Sequence, residues 1–211
     1  YTYTYGYYKQ GMFPTIKSAS EYISTYGLTG TTVIVNAGMY NLVDELSDEI
    51  GASYDGDRYA HGIKIGNKTH WVFSEGAYLQ FNYDGSNVNV ANLFSPLVVS
   101  GSCTLENLNI EVTNCQYCVH DDWPDRESNW IVKYINCAMK HNGNTVGTYT
   151  GTICIGGGLL PNELVVVDGG SYECTNSFPY PISQSYISWY FPAETFHEKS
   201  AAISRSMILF H

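Results

Sequence analysis

Basic side chains are scarce in this sequence. Lys and Arg together number 10 against 20 Asp and Glu, which gives a formal net charge of -10 and a pI near 4.8. A phosphate backbone or an anionic membrane is held by clustered Lys and Arg. The charge balance therefore argues against nucleic acid and anionic lipid as partners. The sequence also lacks the run of about 18 apolar residues that a membrane-spanning helix needs, so we expect no membrane span.

Aromatic residues and glycine are plentiful. The 211 residues include 19 Tyr and 20 Gly, aromatics reach 15%, and charged residues only 14%. This composition is typical of a protein built from strands and turns with an adhesive aromatic surface. The length predicts a single domain.

Six cysteines raise the question of disulfides. Three bridges would fit an oxidising compartment, but free thiols are favoured. Cys115, Cys137, Cys154 and Cys174 lie in strand-like segments at similar separations along the chain, which predicts one small buried residue per structural repeat. Free thiols fit folding in a reducing compartment.

One segment has a clear helical pattern. Between Pro14 and Tyr26, the residues Ile16, Ala19, Ile23 and Tyr26 fall at helical spacing, Ser18 and Glu21 fit a capping box, and Gly27 follows as a stop. Residues 1–12 alternate Tyr and Thr at first and are expected to be a lead-in strand or linker.

The rest of the chain repeats a pattern of short apolar strands separated by Gly, Asn, Asp and Ser. The predicted strands are 31–40, 62–65, 70–73, 97–99, 105–112, 130–135 and 164–167. Because no helices alternate with them, a doubly wound α/β sheet is excluded. A return of roughly 20 residues predicts a solenoid, with a β-sandwich as the alternative. The segments ending in Asn114-Cys115 and Asn136-Cys137 echo each other, which predicts a ladder of stacked Asn side chains at one corner.

Several of these segments resemble pectate-lyase-like right-handed parallel β-helices, including those of bacteriophage tail spikes and gut-bacterial surface proteins. The resemblance covers roughly residues 13–188 and is carried by the helix and the segments 32–40, 117–122, 136–137, 141 and 155–158. It implies an all-β, single-stranded right-handed parallel β-helix over residues 13–190 with an N-terminal capping helix. Residues 191–211 depart from the pattern and are expected to form an atypical tail that caps the last coil, or a truncated end.

The resemblance also implies a class of function. Such proteins are found at the extracellular or virion surface and meet a polysaccharide or cell-surface glycan. Some are lyases, hydrolases or esterases, and others only bind the glycan. We therefore expect carbohydrate recognition, with degradation or deacylation left open. The alternative is a non-catalytic structural or receptor-binding module of a phage tail or cell-surface assembly, and a homotrimer is expected in that setting.

The segment 117–126 carries the densest group of titratable side chains. With Tyr117 and Val119 pointing inward, Cys118, His120 and Asp122 would lie outside, with Asp121 inside unless the strand has already turned. The candidate catalytic residues are His120, Asp121, Asp122, Arg126 and His141. His141 follows His120 at close to the length of one predicted coil and is expected to stack directly above it. The competing interpretation is a surface pair of His120 and Asp122 that orders a loop.

Binding residues are predicted at two places. Trp123 and Asp125 would flank the catalytic group, with Trp123 as a platform for a sugar ring, and Arg58, Tyr59 and His61 would form a second polar-aromatic rim.

No metal site is predicted, because no second Cys/His pair has ligand spacing. The acidic segments 44–49 and 54–57 are interpreted as solvated loops rather than calcium sites, and no cofactor is expected.

Overall fold

The computed structural model describes residues 13–121, 130–145, 151–155, 164–174, 182–184 and 207–210. Parallel β-strands dominate this part of the chain. In chain order the strands are β1 (Thr32–Val35), β2 (Gly38–Asn41), β3 (Ile63–Ile65), β4 (Thr69–Phe73), β5 (Ala77–Asn82), β6 (Leu97–Val99), β7 (Cys103–Glu106), β8 (Asn109–Thr113), β9 (Tyr117–Asp121), β10 (Ile131–Ile135), β11 (Ala138–His141), β12 (Gly151–Ile155), β13 (Leu164–Asp168), β14 (Ser171–Cys174), β15 (Ile182–Gln184) and β16 (Met207–Phe210).

Every third strand joins the same sheet. Sheet A runs β1-β4-β7-β10-β13-β16, sheet B runs β2-β5-β8-β11-β14 and sheet C runs β3-β6-β9-β12-β15. All of the pairings given for these strands are parallel. This arrangement is consistent with a parallel β-helix or a similar solenoid.

The structural repeat is longer than the sequence pattern predicted. Thr69 on β4 pairs with Cys103 on β7, which in turn pairs with Val132 on β10. Both steps exceed the predicted return of roughly 20 residues. The predicted spacing was too short because the chain forms one strand in each of the three sheets before it returns to the first. The predicted strand 105–112 is accordingly split at Asn107 into β7 and β8.

The first helix, α1 (Ile16–Thr25), confirms the predicted helix with two corrections. Its cap is Thr15, whose side chain accepts the Ser18 amide in a reciprocal capping box, so the predicted box of Ser18 and Glu21 was wrong. Of the four residues at helical spacing, Ile16, Ala19 and Ile23 are buried, whereas Tyr26 follows the helix and is 65% exposed.

Helix α1 lies against β3, where Ser20 Oγ donates to the Lys64 carbonyl at 2.5 Å. Two shorter helices that the sequence pattern did not reveal are α2 (Leu42–Glu45) and α3 (Val88–Leu93). Segment 44–49, expected to be a solvated loop, therefore begins inside a helix. No helix in the described part of the chain is long and apolar enough to cross a bilayer.

Side chains from all three sheets form one apolar core. Its largest fully buried members include Trp71, Phe73, Phe81 and Tyr134. Burying one such side chain contributes about 1.5 to 3 kcal/mol.

All six cysteines fall within the described residues and are free thiols, as expected. Four are buried, namely Cys103, Cys115, Cys118 and Cys137. Burial raises the pKa of Cys115 and Cys118 well above the ordinary value, so both act as small neutral core residues.

Asparagine does stack at one corner of the coils, although not between the predicted pair. Asn136 Nδ2 donates to Asn107 Oδ1 at 2.9 Å, and both residues have positive φ, at 50° and 59°. Gly169, with φ 67°, follows in the next coil. The echo between Asn114 and Asn136 instead reflects a shared left-handed backbone conformation at two different corners.

Strand β16 is the described part of the C-terminal segment. Met207–Phe210 pairs in parallel with β13, so this part of segment 191–211 extends sheet A. The lead-in at residues 1–12 lies outside the described residues.

Candidate functional site

The predicted catalytic cluster is only partly within the described residues. Asp122, Trp123, Asp125 and Arg126 lie outside them. His120 and Asp121 end strand β9, and His141 ends strand β11. All three are fully buried. The predicted solvent-exposed position of His120 and His141 is therefore wrong, whereas Asp121 faces inward as the strand alternation predicted.

Strand β9 changes phase in its middle. Cys118 and Val119 both belong to the core cluster, although they are neighbours in the chain. The rings of Tyr117 and His120 contact each other, with centroids 5.8 Å apart. Strict alternation therefore fails between Cys118 and Val119, which explains why the predicted exterior position of Cys118 was wrong. His120 is in register with Val98, which lies outside the core cluster.

Asp121 points into the protein. The Tyr134 hydroxyl donates to Asp121 Oδ2 at 3.0 Å, and both residues are fully buried. Burial, with a smaller contribution from Asp121, raises the pKa of the Cys103 thiol. This hydrogen bond gives Asp121 a structural role inside the core.

His141 does not stack on His120. The residue in register with His120 is Cys154 of β12, whereas His141 lies in sheet B beside Val112 and Cys174. The prediction was wrong because the step from His120 to His141 is shorter than a full coil and ends on a different face.

Two backbone groups fix the state of the His141 ring. The Gly143 amide donates to His141 Nδ1 at 3.0 Å, so Nε2 carries the proton and donates to the Cys115 carbonyl at 2.9 Å. Burial lowers the pKa of His141, and the bond to Cys115 opposes that shift only in part. His141 is therefore a neutral link between neighbouring coils.

The second predicted group lies in a long connection between β2 and β3. Residues 54–62 of this connection, here called the strap, carry Arg58, Tyr59 and His61. The Asp57 side chain accepts the backbone amides of Tyr59 and Ala60, at 2.9 and 3.2 Å, which fixes the turn at the tip.

The strap lies over His120. The Tyr59 ring is 5.4 Å from the His120 ring, centroid to centroid, and Tyr59 itself remains partly exposed. The structure thus joins two groups that sequence patterns had suggested as separate sites. Because Tyr59 and His120 are far apart in the chain, the only sign of their contact was the length of the connection between β2 and β3.

Charged groups surround this corner. His61 Nε2 lies 3.1 Å from Asp55 Oδ1, and Lys64 Nζ donates to the Ala60 carbonyl at 2.6 Å. Burial lowers the pKa of Lys64, and the charges of Glu49 and Asp57 oppose this shift.

The candidate site is therefore a polar-aromatic corner made by Tyr59 and its flanking residues on top of His120. It can offer a ring face together with hydrogen-bond donors and acceptors. Among the described residues, no group of three or more His, Cys, Asp or Glu could hold a metal ion.

No protein-family model matches the chain, and comparisons with curated proteins and with solved structures find no significant match. Arguments about function therefore depend on the fold and on the geometry of this corner.

Proposed function

We propose that the chain is a single-stranded right-handed parallel β-helix of the pectate-lyase-like kind that recognises carbohydrate at an extracellular or virion surface. The three parallel sheets, with α1 over the β3 end, support this architecture. A helical cap is physically useful there because it covers core side chains and strand edges that would otherwise be exposed.

The observation that carries the proposal is the partly exposed Tyr59 ring on top of His120. An aromatic ring offers an apolar face to a sugar ring, while neighbouring polar groups bind its hydroxyls. Arg58 and His61 flank Tyr59 in the strap and carry hydrogen-bond donors, and the Asp55 carboxylate lies 3.1 Å from His61. The net charge of -10 favours an uncharged glycan over a polyanionic one.

Binding without catalysis is the better supported form of this function. A general acid or base must reach a proton on its substrate. His120, Asp121 and His141 are fully buried, and Asp121 and His141 make hydrogen bonds within the protein. Degradation or deacylation would need access to these groups or the participation of Asp122 and Arg126.

A glycan array tests this proposal. We expect the labelled protein to bind uncharged glycans, and chromatography of the best-bound oligosaccharide after incubation to show no shorter or deacylated product. Formation of a product would establish the enzymatic alternative. Failure to bind any glycan on the array would contradict the proposal.

Exposed apolar side chains favour a second role in assembly. Ile34 and Met39 are 49% and 72% exposed, and they lie on the end strands β1 and β2. Exposed apolar groups of this kind mark contact surfaces when they cluster. The homotrimer is a proposal on this basis, and sedimentation equilibrium would separate a trimer from a monomer.

A further inference from the structure

The strap covers a row of residues on sheet C. Lys64 on β3, Val98 on β6 and His120 on β9 are in register and so occupy neighbouring positions about 4.8 Å apart. Val98 and His120 are fully buried, and Val98 lies outside the core cluster. Gly62 lies against Val98, since a side chain added at Gly62 would come within 3.1 Å of Val98 Cγ2. The strap therefore shields Val98 and His120 from solvent, whereas Lys64 stays partly exposed.

One carboxylate ties the strap to helix α1. Glu49 Oε2 accepts the Gly62 amide at 2.7 Å, and Glu49 Oε1 lies 2.6 Å from Lys17 Nζ on α1. The side chains of Lys17 and Glu49 are 16% and 18% exposed, so solvent screens this pair only in part. Lys17 also bonds Asp48, whose side chain is 72% exposed.

Most contacts of the strap itself are polar. Its tip is held by Lys64 and Asp57, and Asp55, Asp57 and Ala60 are exposed. Three residues of the strap also make apolar contacts. The buried Tyr54 ring packs edge-on against Phe94 at 5.4 Å, Gly56 lies against Leu93, and Gly62 lies against Val98. A segment with few apolar contacts opens at a lower free energy than the whole fold. The strap can therefore open while the sheets stay intact.

We propose that the strap is a latched cover over the row of Lys64, Val98 and His120, and that the Lys17–Glu49 ion pair is its latch. This inference rests on the proposed function, because it assigns a regulation to the carbohydrate site. In the closed state a sugar contacts only the outer side of the strap at Tyr59. In the open state His120 becomes accessible beside the already partly exposed Lys64, so the contact of the strap with α1 controls which polar groups meet the ligand.

Acylation of histidine by diethyl pyrocarbonate, followed by peptide mass spectrometry, measures the opening without any glycan. Glu49→Gln removes the charge of the latch at nearly constant shape. We expect the acylation rate of His120 to rise about fivefold in this variant, as the loss of a pair worth about 1 kcal/mol implies. Lys17→Gln breaks the same pair from the helix side and should have the same effect.

Two histidines and one variant serve as controls. His70 is partly exposed and should react equally in all proteins, while His141 should stay protected in every protein that remains folded. Asp48→Asn removes the exposed partner of Lys17 and should leave His120 at the wild-type rate. An unchanged His120 rate in both latch variants, or a rise that His141 shares, would overturn the proposal.

The two proposals fail in different ways. Faster acylation of His120 in the latch variants, together with an empty glycan array, would uphold the strap and reject carbohydrate recognition. Glycan binding with an unchanged His120 rate would uphold recognition and reject the latch.

Discussion

Tyr134 and Asp121 form a fully buried hydrogen-bonded pair. A hydrogen bond to a buried carboxyl group contributes more to stability than one at the surface, because removal of the donor leaves a buried acceptor without that bond. Sequence patterns predicted Asp121 to point inward, but they could not identify Tyr134 as its partner, since the two residues lie on different sheets.

Replacement of Tyr134 by Phe tests this pair. We expect Tyr134→Phe to lower the free energy of unfolding by about 1 to 3 kcal/mol in urea titrations. Tyr40→Phe is the matched control, because the Tyr40 hydroxyl donates to the Asn36 carbonyl in an exposed position and should matter by less than about 0.5 kcal/mol. Equal losses of unfolding free energy in the two variants would show that the Tyr134–Asp121 hydrogen bond contributes no more to stability than an exposed one.

His141 predicts a dependence of stability on pH. Its pKa is lowered in the folded protein from an ordinary value of 6.5, so the unfolded chain binds a proton more readily. The contribution of the neutral ring is complete above about pH 6.5 and is lost as the pH falls toward the lowered pKa of the folded state.

The measurement is the free energy of unfolding at about pH 7.5 and about pH 5. His141→Gln should be less stable than wild type at the higher pH and should lose less on acidification. If wild type and variant show the same pH dependence, the assignment of a neutral buried ring is wrong.

At the scale of single elements, the positions of individual strands were easier to predict than the way in which the strands pair. Apolar runs identified β4, β6, β10 and β13 almost to the residue. The phase change within β9 could not be predicted, because both Cys118 and Val119 are apolar enough to be buried. The helix α1 was found from its periodicity, and only its cap was misplaced, since Thr15 and Ser18 are as suitable for capping as Ser18 and Glu21.

The corners between strands depend on residues that accept a left-handed backbone. Gly170 has φ 91°, and a Cβ atom added there would overlap the Cys137 carbonyl oxygen on the neighbouring strand. Gly27, after α1, also has positive φ at 59°, but it faces open space.

A pair of alanine substitutions separates these effects. Gly27→Ala should cost about 1 kcal/mol, because alanine is strained in the left-handed region. Gly170→Ala should cost clearly more in thermal or urea unfolding, because the coils must also move apart. Similar losses at the two positions would contradict the close stacking of the coils.

On the scale of the whole molecule, sequence patterns predicted stacked parallel strands but not the length of the repeat. Gly, Asn and Ser mark corners of every kind alike, so a short repeat could not be told from a longer one without knowing how many strands form a coil. Sequence patterns also did not predict the contacts between segments that are far apart in the chain. The strap meets His120 only because the connection between β2 and β3 folds back over sheet C.

Carbohydrate recognition at Tyr59 is the central claim about the molecule. Isothermal titration with the uncharged oligosaccharide that binds best on the array tests it most directly. We predict that Tyr59→Ala weakens binding at least about tenfold, or ~1.4 kcal/mol. Tyr26→Ala, which removes an exposed ring from the end of α1, should bind as wild type does. Wild-type affinity in Tyr59→Ala would contradict the account.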